Sequence, residues 1–285
     1  YEGEEISIDG STGAVYLGSV PVIASPVTAY LEGRLSETSE SASPVVKSVD
    51  KILKYADEVR NLTVRANADT PEDAVRARIL GAQGVGLCRT EHMFLGERRI
   101  YVERLVLAEN DEVQRGIIAE MEPLQRKDFV GILMAMSGLP VTIRLLDPPL
   151  HEFLPDLATL SARVARSEAL GEELTARELA IYTAVKRLHE SNPMMGLRGV
   201  RLGVLIPDLF SMQVRALTRA ALHVRAQGYD PRPEIMIPLV ASQRELLYFR
   251  SSLEEEVARV LAGAGEQLEI SIGSMIETPR AAITA

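Results

Sequence analysis

Apolar and polar positions alternate at the start of the chain. Ile6 and Ile8, then Val15 and Leu17, flank Asp9-Gly10-Ser11-Thr12-Gly13. This predicts a β-hairpin with a glycine-rich turn within residues 1–22. Residues 24–46 are rich in Ser and Pro and read as a connector, followed by a helix over about 48–60. From Leu62 short apolar runs recur between helical patterns. The runs are 62–66, 84–88, 141–145, one within 197–203, 234–237 and 268–273, six strands in all. Between them the spacing predicts helices over about 70–82, 97–110, 111–137 with a break near Pro123, much of 150–191, 208–228 and 242–262. Thr70 with Asp73, Thr175 with Glu178 and Ser242 with Glu245 are the expected capping boxes. Thr278 and Pro279 announce one more helix as the sequence stops.

Short apolar strands separated by helices define an α/β protein with a parallel sheet. No G-x-G-x-x-G opens a helix after the first strand, which weakens a doubly wound dinucleotide fold. Charged groups recur at strand C-termini, the rim that carries the site in a (β/α)8 barrel. The reading is therefore a (β/α)8 TIM-type barrel over 61–285, incomplete at its C-terminal end. The hairpin at 1–22 and a linker with a helix at 23–60 precede it. The two outermost strands are expected to be exposed edges, and the inner face to be apolar.

Composition narrows the partners. The chain has 285 residues, a formal net charge of −9 and one cysteine. Net negative charge disfavours general binding to nucleic acid or to an anionic membrane surface. No apolar run approaches the roughly 18–20 residues of a membrane span. A lone cysteine excludes an internal disulfide and fits a reducing, cytoplasmic setting. The missing initiator Met and the interrupted last helix read as a piece of a longer protein.

Four rim positions carry the candidate chemistry. Arg89 follows 84–88, Arg144 ends the run at 141–145, Arg198 lies in 193–199, and Glu277 follows 272–276. Guanidinium forks grip phosphate and carboxylate oxygens bidentately. A carboxylate among cations suits Mg²⁺ bridging to substrate oxygens. Together they suit a small, doubly anionic molecule. Any single Arg of this kind serves equally as a structural partner, and Glu91 and Asp147 are the internal carboxylates it would pair with. Cys88 reads as a buried small hydrophobe, and Met194 with Met195 as packing. His92, His151, His189 and His223 show no metal-ligand spacing.

Four segments are similar to a known family. They are Gly84-Val85-Gly86-Leu87-Cys88-Arg89-Thr90-Glu91-His92-Met93-Phe94, Ile143 through Pro155, Asn192 through Arg201, and Gly273 through Ala281. They resemble the pyruvate, phosphate dikinases, within the wider group holding phosphoenolpyruvate synthase and enzyme I of the sugar phosphotransferase system. The hairpin resembles the end of that family's swivelling phosphohistidine domain. The resemblance implies a barrel that binds phosphoenolpyruvate or pyruvate and exchanges a phosphoryl group with a phosphohistidine. It implies Arg89 and Arg144 on the phosphoryl group, Arg198 assisting beside Arg201, Glu277 as one ligand of Mg²⁺, and a homodimer. The parent reaction would convert ATP, pyruvate and phosphate to AMP, phosphoenolpyruvate and diphosphate. The family's phosphohistidine motif, its N-D-L segment with the second metal carboxylate, its acid cysteine and its nucleotide-binding domain are not in this sequence. The chain alone is expected to be inactive. Phosphoenolpyruvate synthase or an enzyme I-like phosphotransferase, and from another class a non-catalytic metabolite-binding barrel, stand as alternatives.

Overall fold

The computed structural model describes residues 3–21, 25–34, 43–189, 192, 194 and 196–285. The chain forms two compact units, residues 1–63 and 64–285.

In the first unit, β1 (Ile6–Ile8) pairs antiparallel with β2 (Val15–Leu17). Asp9 closes the turn: its carboxylate accepts from the Ser11 amide at 2.9 Å and the Thr12 hydroxyl at 2.7 Å. Two helices follow, α1 (Pro26–Leu31) and α2 (Pro44–Val59). The expected connector thus contains a short helix, because Ser25 caps it and Pro26 pre-sets its first turn. The stretch 35–42 of that connector lies outside the described residues.

The second unit is α/β. Its sheet strands are β3 (Ala66–Asn67), β4 (Val85–Arg89), β5 (Pro140–Arg144), β6 (Arg232–Ile237) and β7 (Ser271–Ser274). All are parallel, and the sheet order follows the chain order without reversal. The helices are α3 (Pro71–Ile79), α4 (Arg99–Val106), α5 (Asp111–Ala135), α6 (Leu157–Leu170), α7 (Ala176–Leu188), α8 (Val200–Leu205), α9 (Pro207–Ala226), α10 (Gln243–Ala264) and α11 (Pro279–Thr284). Both full capping boxes form, at Thr175–Glu178 and Ser242–Glu245. Thr70 makes only its own half, accepting from the Asp73 amide at 3.1 Å. Helix α5 runs straight through Pro123, which is exposed. There the ring forfeits one backbone bond on the solvent side instead of breaking the helix.

The sheet is open, with five strands rather than the expected six. The segment at 197–203 is not a strand. Gly199 adopts a left-handed φ of +53° and leads into α8. Gly203 in that helix lies under two aromatic rings: a Cβ there would stand 2.8 Å from Phe210 and 3.0 Å from Phe249. Tertiary packing of a glycine on aromatic rings has overridden the local apolar pattern.

One face of the sheet is apolar. Val85, Val141, Ile143, Ile235 and Ile237 join a single core with Phe129, Ile132 and Leu217 of the covering helices. Helix α5 packs on α3 and α9, and α9 packs on α10. The opposite face departs from the apolar expectation. There Arg65 donates to Glu234 at 2.6 Å and to Thr142 at 3.2 Å, and Thr142 donates to Glu234 at 2.6 Å. Arg65 packs against the bare backbone of Gly86, where a Cβ would lie 3.1 Å from its own Cβ.

Two outcomes follow from this packing. Gly131 lies inside α5, where Gly to Ala ordinarily gains about 1 kcal/mol. Here the new Cβ would sit 2.5 Å from the Pro71 ring of α3. Gly131→Ala should therefore destabilise by about 1–3 kcal/mol in urea; a gain would show that α3 yields freely. The second outcome concerns acid. Burial raises the Glu234 carboxyl, but hydrogen bonds from Arg65 and Thr142 outweigh it and hold it below its ordinary 4.5. Its contribution is therefore present above pH 4.5 and lost as pH falls through the lower folded value. Glu234→Gln should flatten the loss of stability as pH falls below about 4.5. An unchanged acid limb would remove Glu234 from that account.

Candidate functional site

Arg89 and Arg144 end adjacent strands and are register partners at the C-terminal edge of the sheet. Each is held by a carboxylate from a neighbouring loop. Asp69, in the loop after β3, accepts from the Arg89 amide at 2.7 Å and from its guanidinium at 2.6 and 3.0 Å. Glu91 accepts from Arg144 Nη2. Asp147, fully buried, lies 3.0 Å from Arg144 Nη1 and accepts from Arg198 Nε at 3.1 Å. Its main-chain carbonyl accepts from the Gly199 amide at 2.9 Å. A Cβ on residue 199 would stand 2.7 Å from Leu239 and 3.2 Å from the Asp147 carboxylate. Glycine is needed there both for its positive φ and for the close approach.

Glu277 follows β7 and accepts from the Leu239 amide at 2.7 Å. Leu239 has a φ of +59°, the only non-glycine residue with positive φ among the described residues. The same loop receives the Val200 amide on Pro238 at 3.3 Å, which joins the Glu277 and Arg198 neighbourhoods. Burial pulls the Arg198 pKa down, but hydrogen bonding to Asp147 and the charges of Asp147, Glu152 and Glu277 raise it overall. The structure thus brings Arg89, Arg144, Arg198 and Glu277 to one edge of the sheet. The two carboxylates expected as internal partners of these arginines, Glu91 and Asp147, both face Arg144. Arg201 donates to the Gly196 carbonyl at 2.9 Å.

The mouth is charged but not positive. Asp69, Glu91, Asp147 and Glu277 outnumber the three guanidinium groups. Hydrogen-bonding capacity remains unspent within it: Arg144 Nε and Glu91 Oε2 are buried without a protein partner. Buried polar atoms of this kind call for a ligand, ion or water. Among the described residues no group of three or more His, Cys, Asp or Glu side chains is arranged to hold a metal. Glu277 therefore offers one carboxylate, and a bound Mg²⁺ would complete its shell with water and substrate oxygens.

Two residues at the site escaped the sequence reading. Asp69 ends the segment after β3, the same strand-end position as the arginines, and that position was its signal. Gln213, buried in α9, accepts from the Leu146 amide at 2.9 Å and donates to Thr90 at 3.0 Å. It ties the loops after β4 and β5 together, and nothing in its sequence context marks it. Cys88 is buried, and burial pushes its thiol up, away from reactivity. Exposed His223 lies on α9 and His189 closes α7. Met195 and the His151 side chain lie outside what the structure describes, and Met194 is exposed rather than packed.

The chain thus combines a parallel α/β sheet with a cluster of paired guanidinium and carboxylate groups at the C-terminal edge of its strands. A family model described as "PEP-utilising enzyme, PEP-binding domain" matches residues 45–285, and the chain belongs to that family. Over its whole length it is 44% identical to pyruvate, phosphate dikinase 1, chloroplastic, of Arabidopsis thaliana. It is 42% identical to pyruvate, phosphate dikinase of Clostridium symbiosum and 41% identical to that of Giardia intestinalis. It spans 27%, 30% and 30% of those three proteins. No helix of the described residues is long and apolar enough to cross a membrane.

The buried network sets a stability prediction. Asp147→Asn would leave two largely buried guanidinium groups facing a neutral amide. We expect a loss of about 3–5 kcal/mol in urea unfolding. A loss below about 1 kcal/mol would show that water reaches and relieves the pair.

Proposed function

We infer that the chain is the phosphoenolpyruvate- and pyruvate-binding part of a pyruvate, phosphate dikinase. The parent reaction is ATP, pyruvate and phosphate to AMP, phosphoenolpyruvate and diphosphate, through a phosphohistidine on a swivelling domain to which the hairpin belongs. The observation that carries the reading is the meeting of Arg89 and Arg144, at adjacent strand ends, with Arg198 from the turn before α8, in a chain of this family. The unreversed strand order supports reading the sheet as an arc of a (β/α)8 barrel, since a doubly wound sheet reverses its order midway. Further strands of the parent would complete it, and the family resemblance favours a homodimer.

In this reading Arg89 and Arg144 grip the phosphoryl oxygens, and Arg198 holds the other end of the substrate. Asp69, Glu91 and Asp147 fix the forks in place, so little reorganisation is needed as charge develops on the transferring group. A Mg²⁺ ligated by Glu277 would supply Lewis-acid stabilisation of substrate oxygens. The carboxylate excess at the mouth favours that ion, because a multiply charged anion meets no net positive field without it.

Calorimetry with phosphoenolpyruvate tests the reading. Binding should be weak and should require Mg²⁺. Arg144→Lys should weaken it by about tenfold or more, because an ammonium cannot reproduce two directed forks. In the full-length parent the same change should cost about 10²–10³ in turnover. Equal binding with and without Mg²⁺, or by Arg144→Lys, would count against the site. Pyruvate, ATP and phosphate should give no phosphoenolpyruvate with this chain, and measurable product would overturn the fragment assignment.

A further inference from the structure

The 3-10 turn Thr90–Phe94 follows β4 directly, and its residues are buried except one. Thr90, Glu91, Met93 and Phe94 point inward, and His92 alone is exposed, its side chain 39% accessible. The ring is nevertheless tethered. Its Nδ1 lies 2.9 Å from Asp69 Oδ2, the same oxygen that accepts from Arg89 Nη2 at 2.6 Å. Asp69 itself is 8% exposed. Burial raises its carboxyl, but hydrogen bonds from Arg89 and the charge of His92 leave it below its ordinary value, so it is ionised at neutral pH. An ionised carboxylate only accepts hydrogen bonds. A proton on Nδ1 is the arrangement that this contact favours. Nε2 is the nitrogen left over, and among the described residues it has no partner.

A histidine fixed through one nitrogen by a buried carboxylate presents the other nitrogen in a set direction. Here Nδ1 shares the Asp69 oxygen with Arg89 Nη2, which keeps the half-exposed ring at the same strand end as that guanidinium. We propose that Asp69 is a positioning residue that holds Arg89 and His92 as a pair, and that His92 Nε2 is a further contact for the phosphoryl oxygens of phosphoenolpyruvate. This deepens the functional reading above and rests on it for the identity of the ligand. A merely structural ion pair would stabilise the turn without responding to substrate.

The chain has four histidines, so ¹⁵N-histidine spectra are readily assigned by substitution. In the free chain His92 should carry its proton on Nδ1, and Asp69→Asn should let the two tautomers mix. Phosphoenolpyruvate with Mg²⁺ should move the Nε2 resonance. Pyruvate, which lacks the phosphoryl group, should leave it in place. His92→Gln and His92→Phe should each weaken phosphoenolpyruvate by about tenfold, the loss of one charge-assisted hydrogen bond. They should leave pyruvate binding unchanged. An Nε2-protonated tautomer in the free chain would overturn the positioning role. Bound phosphoenolpyruvate that leaves Nε2 unmoved, or binds both variants as well as the parent chain, would overturn the contact. If either variant fails to fold, the Nε2 shift of the unsubstituted chain decides. Absence of phosphoenolpyruvate binding to the unsubstituted chain would overturn the functional reading and the ligand contact together. The tautomer of the free chain judges the positioning role independently.

Discussion

The buried carboxylate of Asp147 is the constraint on which the rest of the site depends. It has no solvent of its own, so its charge is tolerable only while Arg144 and Arg198 both face it. One guanidinium comes from the end of β5 and the other from the turn before α8, 51 residues apart from Asp147 in the chain. The pairing is sealed through the backbone, because the Asp147 carbonyl holds the Gly199 amide. That bond brings the α8 entry so close to Leu239 that no side chain fits at 199. Leu239 in turn donates its amide to Glu277. A single desolvated charge thereby links the loops after β5, β6 and β7, and the geometry of the mouth cannot relax without exposing it.

The sheet beneath divides its labour between two faces. The face against α5, α9 and α10 is apolar and supplies the packing that holds the unit together. The other face carries Arg65, Thr142 and Glu234 in a closed polar triangle. Thr142 is buried there, and Arg65 and Glu234, each about a third exposed, satisfy its hydroxyl and one another. The sheet is still open, with β3 and β7 as its edges. Such edges present unpaired backbone groups, which suits further strands of a larger parent. The chain spans under a third of each of the dikinases it was compared with, in keeping with that view.

Much was legible from the sequence because it is locally encoded. Strand and helix alternation follows from apolar periodicity, and Thr175, Ser242 and Thr278 start helices because a side-chain oxygen meets amides three residues on. The position of Arg89, Arg144 and Glu277 at strand ends is of the same kind: parallel crossovers return every strand C-terminus to one edge. The family resemblance was equally local, carried by runs of about ten residues around each of these positions.

What only the tertiary structure decided were the matters settled between distant segments. Residues 197–203 were apolar enough for a strand, yet Gly199 and Gly203 fit only against Leu239, Phe210 and Phe249, and the segment coiled into α8. Pro123 should have broken α5, but exposure of its position made the loss of one backbone bond tolerable. The polarity of the inner face depended on Arg65 meeting Glu234, 169 residues away. Asp69 is marked only by its place after a strand, and Gln213 carries no mark at all in its own neighbourhood. They became site residues because folding brought one beside Arg89 and His92 and the other between two loops. Local patterns report which residues share an element or an edge. Which charges neutralise one another is determined by desolvation, which exists only once the chain has folded around them.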